Sequence, residues 1–144
     1  MGSPERDLVA QLFSRYLRPR ESLSVDAWAD KYRVLAGETS AEPGPWRTAR
    51  VPYLRAVMDA YGDRAVRRIV IMKREQVGGT EATLNMALYM IDCERGAAFW
   101  IWSNEDNARD FNAKRFLPTL RACPRVAARM SGKKSDARSL DVTV

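Results

Sequence analysis

The sequence predicts an α/β chain: N-terminal helices followed by the start of a parallel sheet, in the order strand–loop–helix–strand–helix. Three observations predict it. Val66–Met72 is read as an apolar strand on its contiguous β-branched Ile69, Val70 and Ile71, the composition of a strand buried on both faces. Ala97–Trp102 is a second apolar run, opened by Gly96. Between them, Thr80–Ile91 places Leu84, Ala87, Leu88 and Ile91 at i, i+3, i+4 and i+7, the stripe of an amphipathic helix. Strands alternating with helices imply a parallel, doubly wound sheet. Two strands do not complete one, so the sheet is expected to be incomplete, with Leu140–Val144 a candidate third strand.

The other elements follow in chain order. Pro4–Leu17 predicts an amphipathic helix, with Leu8, Leu12 and Tyr16 four apart and Val9 and Phe13 beside them; Pro19 closes it. Ser24 is placed to N-cap a short helix bearing Val25, Trp28, Ala29 and Tyr32. Leu35–Pro52 contains Gly37, Pro43, Gly44, Pro45 and Pro52, a density that predicts an irregular arm. Tyr53–Tyr61 is helical by pattern, with Gly62 as its C′ residue. Ser103 and Asp106 form a variant capping box for a helix running to about Arg121, ended by Pro124. The organisation is a helical segment over 1–34, an arm over 35–52 and the sheet-containing region over 53–144.

Composition narrows the chemistry. The 144 residues are 46% hydrophobic and 29% charged, enough for a core. No long uncharged apolar run is present, so no membrane partner is expected. The sequence has no histidine, which removes Ser-His-Asp and Cys-His catalysis, and its two cysteines are too few for a zinc site or a disulfide scaffold. The net charge is +6, and nearly all of it lies between Arg109 and Arg138, where nine basic residues face two acids. That excess reads either as a polyanion-binding surface or as a solvated helix face.

The segment Lys73-Arg74-Glu75-Gln76-Val77-Gly78-Gly79-Thr80 carries the sharpest signal. It joins the first strand to the following helix with the spacing of a phosphate-binding loop, Gly, four residues, Gly, Lys, then Ser or Thr. The letters shift: Lys73 stands where the first Gly would be and Gly79 where the Lys would be, while Gly78 and Thr80 keep their places. Such a cradle needs permissive backbone, a helix N-terminus, a cation, and a hydroxyl for Mg²⁺. Gly78 and Gly79 supply the first, Thr80 the helix start and hydroxyl, and Lys73 the cation, reaching back from the strand end. Arg74 is a further cation at the loop. An ordinary turn explains the same glycines and threonine without any ligand. Asp92 follows apolar residues but falls at the end of the helix after the loop. No acidic strand end is therefore assigned, and no catalytic residue is placed in this chain.

Four spaced segments carry a family resemblance: Ala27-Trp28-Ala29-Asp30-Lys31-Tyr32-Arg33; Ser40-Ala41-Glu42-Pro43-Gly44-Pro45-Trp46; Pro52-Tyr53-Leu54-Arg55 with Met58-Asp59-Ala60; and Lys73 through Asn85. Together they resemble the N-terminal ATPase portion of the large terminase subunit of tailed phages, in the lambda-like (GpA) branch. The resemblance implies an ATP-driven motor that moves double-stranded DNA into a procapsid, with ATP and Mg²⁺ as cofactors. It implies a P-loop-type sheet and a deviant loop with its lysine at the start. The implied partners are DNA, a small terminase subunit and the portal, and the implied setting is the bacterial host cytoplasm, with an oligomer when full length. The cofactor-binding set it implies is Lys73, Gln76, Gly78, Gly79, Thr80 and Glu81, with Thr80 on the metal. Trp46, Tyr53 and Arg74 are outlying members, the two aromatics being candidates to hold adenine. Leu54 stands where many relatives carry Gln. Arg109, Lys114, Arg115 and Arg121 are candidate DNA contacts.

The family's acidic strand end and nuclease domain are expected beyond Val144, which reads the chain as a truncated terminase from a phage or prophage. A non-catalytic module that binds the small subunit or DNA is the alternative, and a basic nucleic-acid binder unrelated to packaging is a third.

Overall fold

The computed structural model describes residues 22–94 and 98–130, and helices dominate them. Helix α1 (Val25–Tyr32) begins after Ser24, which has the extended backbone of an N-cap, although its hydroxyl donates to Asp26 instead of capping an amide. Val25, Trp28 and Ala29 form its buried stripe at i, i+3, i+4. Helix α2 (Arg55–Gly62) is entered through a 3-10 turn at Pro52–Leu54, with proline where its missing N–H removes no helical bond. Helix α3 (Gly79–Tyr89) is apolar on most sides and buries Ala82, Leu84, Asn85, Met86 and Leu88. The three helices pack on one another. A π-helical turn at Met90–Glu94 continues α3.

Beyond the second expected strand, α4 (Glu105–Phe111), a π-helical turn at Asn112–Phe116 and α5 (Leu117–Ala122) run head to tail. The cap of α4 is Asn104, one residue later than the expected Ser103: its side chain accepts from the Asn107 amide at 2.8 Å, the N3 bond that a cap requires. Pro124 ends α5 as expected and then opens a short helix, α6 (Pro124–Ala127), from its first position. Leu120, Cys123 and Val126 join Trp28, Leu54, Met58 and Leu88 in one core.

Two expectations are corrected. The Pro/Gly-rich arm is not wholly irregular. β1 (Val34–Leu35) pairs antiparallel with β2 (Gly44–Pro45), in the register Val34↔Pro45 and Leu35↔Gly44. Pro45 is tolerated because a two-stranded ladder is all edge. The parallel sheet is the larger correction: β1–β2 is the only sheet among the described residues. Val66–Met72 and 98–102 form neither helix nor ladder. Burial on both faces was expected, yet only one face is covered. Ile69 and Ile71 are partly buried, whereas Val70 and Met72 are 82% and 99% exposed. Trp100 packs on Phe111 and Phe116 at 4.9 and 5.1 Å between ring centres, whereas Phe99 and Ile101 stand 91% and 92% exposed. The period of two is that of strands, without the neighbouring strands that would make a sheet. The predicted helix Pro4–Leu17 and strand Leu140–Val144 lie outside the described residues.

Candidate functional site

The loop Lys73–Gly78 connects Val66–Met72 to the N-terminus of α3. Its backbone turns through the left-handed region twice, at Gln76 (φ 58°) and at Gly78 (φ 76°). Gly78 is there because a side chain would be strained at that φ, and a Cβ would also meet Leu54 Cδ1 at 3.2 Å. Gln76 adopts the same region without glycine's freedom, a local strain of the kind found at ligand-binding turns.

Gly79 has a different reason to be glycine. Its φ is ordinary, but a Cβ would fall 2.4 Å from Lys73 Cδ, 2.5 Å from Cε and 3.6 Å from Nζ. The Lys73 side chain therefore folds back from the strand end and lies over the first residue of α3, in the space that a side chain at 79 would need. Lysine at 73 and glycine at 79 are sterically linked.

Among the described residues, the first amides at this end have no protein acceptor. Among the described residues, the first α3 amide with a protein acceptor outside the helix's own ladder is Ala82, which donates to the Gly78 carbonyl at 3.0 Å. The N–H groups of Gly79, Thr80 and Glu81 ahead of it are the orphan donors that every helix start leaves, and the helix dipole adds partial positive charge there. The loop is braced from the 3-10 turn. The Tyr53 hydroxyl donates to the Val77 carbonyl at 3.2 Å, and Leu54, 4% exposed, packs on Gly78.

The outlying candidates separate. Tyr53 is at the loop and 57% exposed. Trp46 is 5% exposed and donates its indole N–H to Thr48 Oγ1 at 3.0 Å, so it is a core residue of the arm and presents no ring face to a ligand. Arg74 and Gln76 are exposed. Glu81 is turned away from the loop, toward Arg33 Nη2 at 3.0 Å and Arg115 Nη1 at 3.8 Å. Sequence reasoning passed over Arg33 as a site residue, and singled out Leu54 only as the position where many relatives carry Gln. A signal for Arg33 existed in Glu81 and Asn85, a carboxylate and an amide one turn apart on a largely apolar helix.

Asp92 lies in the π-helical turn after α3 with its side chain 0% exposed. It accepts from Trp28 Nε1 at 2.9 Å, from Arg129 Nε and Nη2 at 3.0 and 2.7 Å, and from Arg125 Nε. Burial pushes its carboxyl up, but these donors outweigh burial and hold it below its ordinary 3.8. Its acceptor capacity goes to protein donors, so it ties α6 to α3 and α1.

Much of the basic helical stretch is spoken for by protein acids. Arg109 pairs with Glu105, and Lys114 with Asp110 at 2.6 Å, each one turn back on the helix. Arg115 donates to the Thr39 carbonyl at 2.6 Å besides facing Glu81. Arg121 is exposed and forms no ion pair among the described residues. No cluster of metal-ligating side chains, and no helix long and apolar enough to cross a membrane, occurs among the described residues.

Comparison with known proteins gives this geometry a family. The model of the phage terminase large subunit gpA, ATPase domain, matches residues 40–143, which include most of the arm, the brace, the loop and the basic helices. The terminase large subunit of Escherichia phage lambda is 30% identical over 112 residues, covering 77% of this chain and 17% of that protein. The terminase large subunit of Enterobacteria phage P21 is 28% identical over 102 residues, covering 71% of this chain and 16% of that protein. The chain thus spans about a sixth of the length of these curated relatives. No solved structure matches it. With the family model covering the loop and most of the chain, this protein belongs to the gpA ATPase-domain family of phage terminase large subunits.

Proposed function

We propose that this chain is the nucleotide-binding part of a DNA-packaging motor and that its deviant loop holds the triphosphate of ATP with Mg²⁺. The observation that carries this reading is the Lys73 side chain lying over Gly79. It brings an ammonium to the start of α3 from the opposite end of the loop to the usual one. The orphan amides of Gly79, Thr80 and Glu81 supply donors for phosphate oxygens, and the Thr80 hydroxyl supplies a ligand for the metal. ATP supplies the phosphoryl chemistry when bound. The residues of this chain bind and orient it. Tyr53, held to the loop by its hydroxyl, offers an exposed ring beside the site. DNA contact on this reading falls to the exposed cations of α4–α5, with Arg121 the least committed and Arg115 the most.

The test is a titration with a non-hydrolysable ATP analogue and Mg²⁺. Saturable binding that weakens about ten- to a hundredfold in Lys73→Ala, and by a similar factor in Thr80→Ala, is expected from the loss of charge-assisted contacts. Binding that ignores both substitutions sinks the proposal.

A further inference from the structure

Arg33 is a buried cation with its side chain 0% exposed. It follows α1 as its C-cap residue, and its planar fork grips one face of α3. Nε donates to Asn85 Oδ1 at 3.1 Å, and Nη2 donates to Glu81 Oε2 at 3.0 Å. Nη2 also reaches Thr119 Oγ1 of α5 at 3.5 Å, and Nη1 bonds the Val34 carbonyl. Asn85, itself 0% exposed, completes its amide by donating to Met58 Sδ of α2 at 3.5 Å. One guanidinium therefore joins α1, β1, α3 and α5 at a point one turn inside the phosphate-loop helix.

Apolar packing alone leaves a helix some freedom to rotate about its axis, because dispersion contacts are non-directional. Two bonds from a rigid planar group to residues four apart remove that freedom. Cα atoms lie about 2.3 Å from the axis, so a turn of 10–15° moves them by about half an ångström and carries the amides along with them. A preformed site tolerates displacements of about that size and no more. The residue gripped first, Glu81, directly follows Thr80, and its own N–H is one of the orphan donors at the helix start.

We infer that Arg33 is a positioning residue for the phosphate cradle: through Glu81 and Asn85 it fixes the rotation of α3 and so aims the amides of Gly79–Glu81. The inference rests on the nucleotide reading of the loop. Lysine cannot replace arginine here, because an ammonium is a point charge without the two-pronged geometry.

Three variants test it: Arg33→Lys, Glu81→Gln, and Leu120→Ala as a control. Leu120 is fully buried in the core on α5, so its truncation lowers stability without touching α3's polar grip. At a temperature where all are folded by circular dichroism, Arg33→Lys weakens binding of the ATP analogue about tenfold, and Leu120→Ala leaves it unchanged. Adding Arg33→Lys to Glu81→Gln causes little further loss. In the absence of nucleotide, amide exchange at Ala82–Asn85 quickens in Arg33→Lys and not in Leu120→Ala. Affinity that follows melting temperature alike in Arg33→Lys and Leu120→Ala overturns the inference, as does unchanged exchange at Ala82–Asn85. If the wild-type chain binds no nucleotide, the function proposed above falls. Selective exchange in Arg33→Lys then still shows the grip on α3, and its absence removes both.

Discussion

Arg33 and Asp92 are enclosed in the helical layer with side chains 0% exposed, whereas Val70, Met72, Phe99 and Ile101 of the two expected strands stand 82–99% in solvent. The usual placement is inverted between these regions, and the inversion is informative. The buried charges are tolerable because each has several protein partners. The exposed apolar side chains have no such compensation. Burying one contributes about 1.5–3 kcal/mol, so the four together leave about 6–12 kcal/mol unrealised, comparable with the whole stability of a typical domain. The helical layer pairs its buried charges Arg33 and Asp92 within the described residues, and the two segments present apolar side chains suited to another apolar layer. The phosphate loop lies on the border between them. Its order comes from the helical side, through Tyr53, Leu54 and α3.

The largest effect is expected on the helical side. Asp92→Ala leaves two guanidinium groups and an indole N–H without their acceptor. Partial exposure of Arg125 and Arg129 softens that loss, so we expect about 3 kcal/mol from the denaturant midpoint. Asp92→Asn, which keeps an acceptor for Trp28, loses less. The same carboxylate sets an acid limit. Its native pKa is held below the ordinary 3.8, so the unfolded chain takes up its proton first as pH falls. The stabilisation is complete above that ordinary value, shrinks as pH drops through the lower native one, and is missing from Asp92→Asn. Urea midpoints measured from pH 6 to pH 2 on both proteins check the sign.

The exposed apolar side predicts the opposite response to charge. Met72→Lys combined with Ile101→Lys should leave the urea midpoint within about 0.5 kcal/mol of wild type, because neither side chain is buried. It should reduce concentration-dependent association, which light scattering reads, because two large exposed apolar side chains are removed. A large loss of stability in this double variant breaks the comparison, since it means the face is covered. The loop glycines give a finer contrast. Gly78→Ala, at φ 76° and against Leu54, should lose about 1 kcal/mol of stability. Gly79→Ala should hardly change stability, because the flexible Lys73 stem can move aside, and yet should weaken nucleotide binding because the ammonium moves with it. The smallest effect belongs to the solvated ion pairs. Arg109→Ala and Lys114→Ala should each change stability by only about 0.3–0.5 kcal/mol.

How much of this was legible in the sequence follows from the range of the forces involved. α1, α2, α3 and the helical stretch from 105 to 122 were readable because their apolar spacing and caps are local. The loop was readable because phosphate-loop spacing is local too, and the displaced lysine was visible once Gly79 was seen in its place. The sheet was not: a ladder needs partners distant in sequence, and an apolar run records only that a strand prefers burial. Trp46 illustrates a second limit, since an aromatic near a candidate site reads the same whether it meets a ligand or the core. Arg33 illustrates a third. Its importance arises from contacts with residues 48, 52 and 86 positions away; the local pair Glu81 and Asn85 signals a buried polar partner but does not identify it.

The central claim is that the loop has one seat for an ammonium, filled from residue 73 because residue 79 is glycine. The most direct measurement is a titration of the ATP analogue with Mg²⁺ into three proteins: wild type, Lys73→Gly, and Lys73→Gly with Gly79→Lys. Binding should fall about ten- to a hundredfold in the single variant and return toward wild type in the double exchange, where the cation enters the same seat from the helix side. A double exchange that binds no better than Lys73→Gly alone, or a single variant that binds as wild type, contradicts the account.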